Sequence, residues 1–120
     1  MTTPLARLVR THKALAHPVR LRLLAMLRSG PLCVCQMTMV VGLAASTVSE
    51  HLSELRAAAL LSERKVGRWV EYRLTPCAVQ SLETSCAALD DDAEVHADAA
   101  RVHEVRGIPL DERLEVGAAR

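Results

Sequence analysis

Aromatic residues are nearly missing: the chain has one Trp, one Tyr and no Phe, 2% of 120 residues. A core must then be built from Ala, Leu and Val, which favours packed helices over a sheet sandwich. The length suits one domain with a single modest core. No apolar run approaches the ~18 residues that a membrane-spanning helix needs. Met1-Thr2-Thr3-Pro4 has neither the charged start nor the apolar stretch of a signal peptide, so the expected location is cytoplasmic. Four cysteines in such a chain read as thiols or metal ligands before they read as a disulfide framework. A Ser/His/Asp arrangement, paired catalytic carboxylates and a phosphate-binding glycine loop are also missing, so the chain is not read as an enzyme.

Charge is present but unevenly placed. Residues 1–76 hold eleven Lys and Arg against four Asp and Glu, whereas residues 77–120 hold four Arg against ten acids. The net charge of +1 hides this asymmetry. Two differently solvated surfaces would account for it. So would a protein that lays its first part on a polyanion and keeps its last part away from it.

Periodicity predicts a short amphipathic helix over 5–16 and a second one opening at His17-Pro18, because proline fits the first helical turn. In the second, Val19, Leu23, Met26 and Leu27 recur at helical spacing, with Arg20, Arg22 and Arg28 outside the stripe. Ser29-Gly30-Pro31 ends it. A third helix is expected over 33–41, broken by Gly42, and a fourth over 44–60. Residues 62–74 are rich in β-formers and read as a two-stranded hairpin with Gly67 at its basic tip. Thr75-Pro76 then opens one long helix with Val79, Leu82, Cys86 and Leu89 along a stripe. The expected organisation is one domain over 1–106 and a tail over 107–120. The fold class is mainly α with a β-hairpin.

Residues 34–60 have the layout of a helix-turn-helix: a short helix, a glycine turn and a longer second helix. Val48, Leu52, Leu55 and Ala59 would be its buried face, leaving Ser46, Thr47, Ser49, Glu50 and Ser53 largely on the other side. Small hydroxyl side chains there let the backbone approach DNA and can bond phosphates or base edges. The helix N-terminus adds partial positive charge. Arg64, Lys65 and Arg68 at the hairpin tip would lie along the flanking backbone or in the minor groove. A cluster of serines alone would be an ordinary solvated face; joined to a basic hairpin, it favours double-stranded DNA.

Four segments carry a resemblance: 13–24 (KALAHPVRLRLL), 32–36 (LCVCQ), 46–52 (STVSEHL) and 67–74 (GRWVEYRL). In order and spacing they resemble the ArsR/SmtB family of winged-helix repressors, over roughly residues 5–90. The resemblance implies a winged helix-turn-helix that dimerises through its terminal helices, binds an operator of inverted half-sites, and is released by a metal or metalloid. It assigns the DNA-reading role to Ser46, Thr47, Ser49 and His51. One departure is Ala59, where relatives usually carry Gly before the wing.

Cys33 and Gln36 have the spacing of a capping box with a thiol in place of the hydroxyl. Cysteine is a poor cap, so local stability is given up there, although Cys33 and Cys35 could also be two small buried hydrophobes. Helix N-termini favour the thiolates that soft ions need. Residues i and i+2 of a regular helix point ~200° apart, so both thiols hold one ion only where that turn is extended or unwound. Binding would then deform the start of the third helix and misalign the recognition helix.

The Cys-Val-Cys segment is similar to the arsenite/antimonite branch and also to the cadmium/lead branch. Arsenite-responsive relatives often place a third Cys where Thr38 stands here, and cadmium-type relatives borrow ligands from an N-terminal arm that here has no Cys. Cys77, in the first turn after Pro76, is the expected third ligand, with Cys86 expected in a core or dimer seam. Three thiolates match the pyramidal arrangement that the resemblance implies for As(III) or Sb(III) as inducer, with no constitutive cofactor. A cadmium, lead, zinc or thiol-redox sensor is the alternative. The zinc-sensing pattern of the last helix fails, because its positions hold Pro76, Ala78, Leu89 and Asp92. Asp92, His96 and His103 share one helical face, which a solvated acidic helix explains more simply.

Overall fold

The computed structural model describes residues 3–108, so the expected tail lies almost wholly outside the described residues. Helix α1 (Pro4–Leu15) opens at Thr3, whose Oγ1 accepts from the Ala6 amide at 3.0 Å. Helix α2 (Pro18–Met26) opens at His17, whose Nδ1 accepts from the Val19 amide at 3.1 Å. A 3-10 turn (Leu27–Ser29) leads to strand β1 (Leu32–Cys33) and helix α3 (Val34–Val41). Gly42, with φ 73°, ends α3 in the left-handed conformation that glycine adopts without a Cβ clash. Helix α4 (Ala45–Ala57) follows, then strands β2 (Leu61–Val66) and β3 (Trp69–Leu74), and helices α5 (Pro76–Glu83), α6 (Cys86–Asp91) and α7 (Ala93–Arg106).

Leu23 and Leu24 of α2, Met37 of α3, Leu52 and Leu55 of α4, and Leu32 and Leu60 are all but fully buried. Helix α2 runs through the middle, packed against α1, α4 and α7. Leu23 to Met26 are therefore buried in succession instead of along one stripe. The fold is a winged helix-turn-helix: α3 and α4 are the paired helices, and β2 and β3 form the wing.

Three further expectations change. The hairpin is the outer part of a three-stranded antiparallel sheet in the order β1-β3-β2, with Leu32 opposite Tyr72 and Cys33 opposite Glu71. A two-residue strand has no periodicity of its own; its partner defines it.

Helix α4 ends at Ala57, three residues early. Leu60 N–H bonds the Leu55 carbonyl and Ala59 N–H bonds the Arg56 carbonyl, a Schellman closure. Ala58 is buried in place of Ala59, which is exposed with φ 61°.

The expected long last helix is three helices, interrupted at Thr84–Ser85 and at Asp92. Asp92 Oδ1 accepts from the Glu94 and Val95 amides at 2.9 and 3.0 Å, and so starts a new helix. Val79 is exposed, so the stripe through it does not form.

The acidic half packs directly on the basic half. Helix α7 packs on α2 and α3, where Arg22 meets Asp98 and Glu94, and Arg28 meets Asp90 of α6.

Candidate nucleic-acid interface and thiol site

Val48, Leu52 and Leu55 bury one side of α4, and at 100° per residue this turns Ser46, Ser49, Glu50 and Ser53 to solvent. Thr47 and His51, one turn apart, lie on the flank between the two faces and are half-buried. The cap position of α4 is Ala44, whose side chain offers no oxygen to the first-turn amides of the helix.

His51 is engaged inside the fold, which its place in the STVSEHL segment does not disclose. Its Nδ1 accepts from Arg20 Nε at 3.2 Å, and its ring lies 4.5 Å from that of His17. Burial first, then His17 and Arg20, hold the imidazole below its usual pKa, with Glu50 opposing. Sequence periodicity marks Arg20 only as lying outside an apolar stripe. Its link to His51, 31 residues away, has no local signature.

At the wing, Val66 and Trp69 are joined by Gly67-Arg68, with Gly67 at φ 60° in the first turn position. Arg64, Lys65 and Arg68 are all exposed, and the Arg68 guanidinium lies 5.6 Å from the centre of the Trp69 ring. An ion pair between Arg56 and Glu63 of β2 ties the base of the wing to the end of α4. Burial, and then the Glu63 carboxylate across the sheet, raise the pKa of the Tyr72 phenol. Basic tip and serine face thus belong to one connected unit, α4 through β3.

The thiols lie at the other end of the helix-turn-helix. Cys33 is the cap of α3, with extended backbone at ψ 160°, and is buried. Its amide donates to Gln36 Oε1 at 2.7 Å, closing the capping box with sulfur in the hydroxyl's place. Cys33 is also half of β1, so it is joined both to α3 and, through β3, to the wing. Cys35, the second residue of α3, is half-buried. Thr38 is fully buried.

Cys77 is exposed in the first turn of α5. Among the described residues no group of three or more His, Cys, Asp or Glu is gathered as a metal cage, so Cys77 does not join Cys33 and Cys35 within this fold. Cys86 opens α6. Asp92 is occupied in capping α7, while His96 and His103 are exposed.

Helix α7 brackets the thiol segment. Arg106 donates to the carbonyls of Ser29, Gly30 and Pro31 at 3.3, 3.0 and 3.3 Å, just ahead of β1. Arg101 donates to the Val40 carbonyl at 3.2 Å, near the end of α3.

Comparison with known proteins agrees with this architecture. Residues 17–63 match the family model described as bacterial regulatory protein, arsR family. The HTH-type transcriptional regulator NmtR of Mycobacterium tuberculosis is 36% identical over 93 residues, 78% of this chain and 72% of that protein. The arsenic resistance transcriptional regulator ArsR1 of Pseudomonas putida is 45% identical over 65 residues, 53% of this chain and 51% of that protein. The chain thus spans about half the length of that arsenic-resistance relative. Among solved structures, the homodimeric winged helix-turn-helix DNA-binding domain of Mb0332 from Mycobacterium bovis, a possible ArsR-family regulator, superposes with a TM-score of 0.67 at 26% identity. The match covers 72% of this chain and 82% of that one. With the two helices, the turn and the wing in the expected places, the chain belongs to the ArsR family of bacterial regulatory proteins.

Proposed function

We propose that this protein is a metalloid-responsive transcriptional repressor, which binds operator DNA as a homodimer and is released when As(III) or Sb(III) is captured by cysteine thiolates. The single observation that carries the reading is the position of Cys33. It caps α3 and pairs with β3, so an ion drawn to its sulfur strains the helix-turn-helix and the wing together.

The reading face is Ser46, Thr47 and Ser49 with His51 on its flank, and the wing contributes Arg64, Lys65 and Arg68 along the backbone. Leu5, Leu8 and Val9 of α1 are 72, 55 and 45% exposed, an apolar face at i, i+3, i+4 that supports dimerisation through the terminal helices. The relative from Mycobacterium bovis is homodimeric.

Cys33 already has extended backbone and Cys35 opens the helix, so the pair straddles a junction where a small unwinding suffices to align two sulfurs on one ion. Cys77, exposed on α5, is the third ligand in this reading, and movement or the second protomer must bring it to the pair. Allosteric coupling is commonly ~1–3 kcal/mol and near-complete switching needs ~5.5, so two ions per dimer, each contributing about half, would release the operator.

The test titrates purified protein with arsenite, following sulfur-to-arsenic absorption and release of a labelled duplex from upstream of its own gene. Cys33→Ser and Cys35→Ser should bind DNA normally and ignore arsenite, and Cys77→Ser should respond more weakly. Release by cadmium, lead, zinc or peroxide where arsenite does nothing would replace the inducer in this reading.

A further inference from the structure

Three arginines lie on or just after α2, and two of them have anions of their own. Arg22 meets Asp98 and Glu94, and Arg28 meets Asp90. Arg20 does not: among the described residues its partner is the neutral acceptor His51, and it is paired with no carboxylate. A half-buried guanidinium without a counter-ion is costly unless it meets one in the functional state. His51 lies one turn after Thr47, on the edge between the buried stripe of α4 and its exposed serine face. When such a helix enters the major groove, a DNA backbone runs along that edge.

We propose that Arg20, steered by the His51 imidazole, is a backbone-phosphate contact beside the reading helix, and that His51 contributes through Arg20 instead of reading bases itself.

The geometry explains why a histidine suits this place. The bond from Arg20 occupies Nδ1 as an acceptor, so the ring must be neutral there. The charged groups acting on the ring favour that form: His17, which caps α2, and Arg20 itself disfavour a second positive charge, against Glu50 of α4. With Nε occupied, the two terminal nitrogens of the guanidinium remain as a fork for phosphate oxygens. His51 is thus a positioning residue, and the half of the guanidinium that it holds sets the direction of the half that reaches DNA.

This inference rests on the DNA-binding reading above, and the experiment separates the two. Two labelled duplexes of equal length, one from upstream of the gene and one of mixed sequence, are titrated across a salt series with the full chain. Wild type that binds neither duplex in a salt-dependent way overturns the DNA-binding reading and this inference with it. Given wild-type binding, Arg20→Gln should weaken both duplexes alike, by about tenfold, and lower the salt slope by ~0.9 per protomer. His51→Ala should do nearly the same, His51→Asn, which returns an oxygen acceptor near Nδ1, should restore binding, and the double variant should be no worse than Arg20→Gln. Arg20→Lys keeps the charge without the Nε donor and is the second variant, on which His51→Ala should have no further effect. An unchanged slope in Arg20→Gln overturns the proposal. So does a His51→Ala variant that loses only the preference between the two duplexes, because His51 would then be reading bases.

Discussion

Arg22 and Asp98, 76 residues apart, form a two-bond ion pair, Nε to Oδ2 at 2.8 Å and Nη2 to Oδ1 at 2.9 Å, with Asp98 2% exposed. This is where α7 is fastened to the central helix. The bond to Asp98, opposed by burial, raises the guanidinium above its ordinary pKa.

Removing one partner of a buried pair costs more than the pair contributes, because a charge is left without compensation. Asp98→Ala should lower unfolding stability by about 3 kcal/mol, the low end of the range, because Arg22 keeps Glu94 at 3.0 Å. Asp98→Asn should lose less. Urea unfolding of the three proteins measures this, and a loss under ~1 kcal/mol in the alanine variant would show α7 to be held by apolar packing.

Ala59 carries a positive φ of 61° at the position that closes α4. A Cβ in the left-handed region costs roughly 1–2 kcal/mol, and glycine avoids the clash. The local structure is held by neighbours: the Ala59 carbonyl accepts from Thr75 Oγ1 at 2.7 Å, and Thr75 N–H bonds the Leu60 carbonyl. Ala59→Gly should therefore stabilise the protein by about 1 kcal/mol, raising Tm by several degrees. A lower Tm would place the strain elsewhere.

The imidazole of His51 is held below its ordinary pKa of 6.5 by burial, His17 and Arg20. The unfolded chain then takes up that proton first as pH falls, so the stability His51 contributes is present above about 6.5 and is lost as pH drops through the window beneath it. Thermal melts at pH 7 and pH 5 should show a smaller acid-induced drop in His51→Asn than in wild type. An equal drop would assign the acid sensitivity to other groups.

Replacing Arg64, Lys65 and Arg68 together by Ala should weaken binding to every duplex and lower the salt slope by ~0.9 for each phosphate that is no longer neutralised. Thermal stability should hardly change, since all three side chains are exposed. A slope that stays at the wild-type value would remove the wing from the DNA interface.

The elements read most directly from the sequence are those whose signals are local. Pro18 after His17, Gly42 after Val41 and Gly67 at the hairpin each act on their own backbone, and each sits where the chain does turn or start. The capping box at Cys33 and Gln36 is legible for the same reason, since both partners lie within one helical turn. Val48, Leu52 and Leu55 are legible because helical spacing repeats.

Local signals mislead where a distant partner decides. Val79 has the spacing of a helical stripe, yet it is 45% exposed in the described fold. Asp92 reads as one acid among several, but its side chain closes a cap and divides the last helix. Arg20 and His51 stand on separate motifs, and only the packing of α2 against α4 makes them one hydrogen-bonded pair.

Sequence alone determined the class of fold and the thiols on offer, because helix periodicity, turn glycines and cap spacing are properties of a few adjacent residues. Tertiary structure decided that Cys33 belongs to helix and sheet at once, that Asp98 is a buried counter-ion, and that His51 faces Arg20. Those are relations between segments far apart in the chain, and only the closing of a shared core brings them within bonding distance.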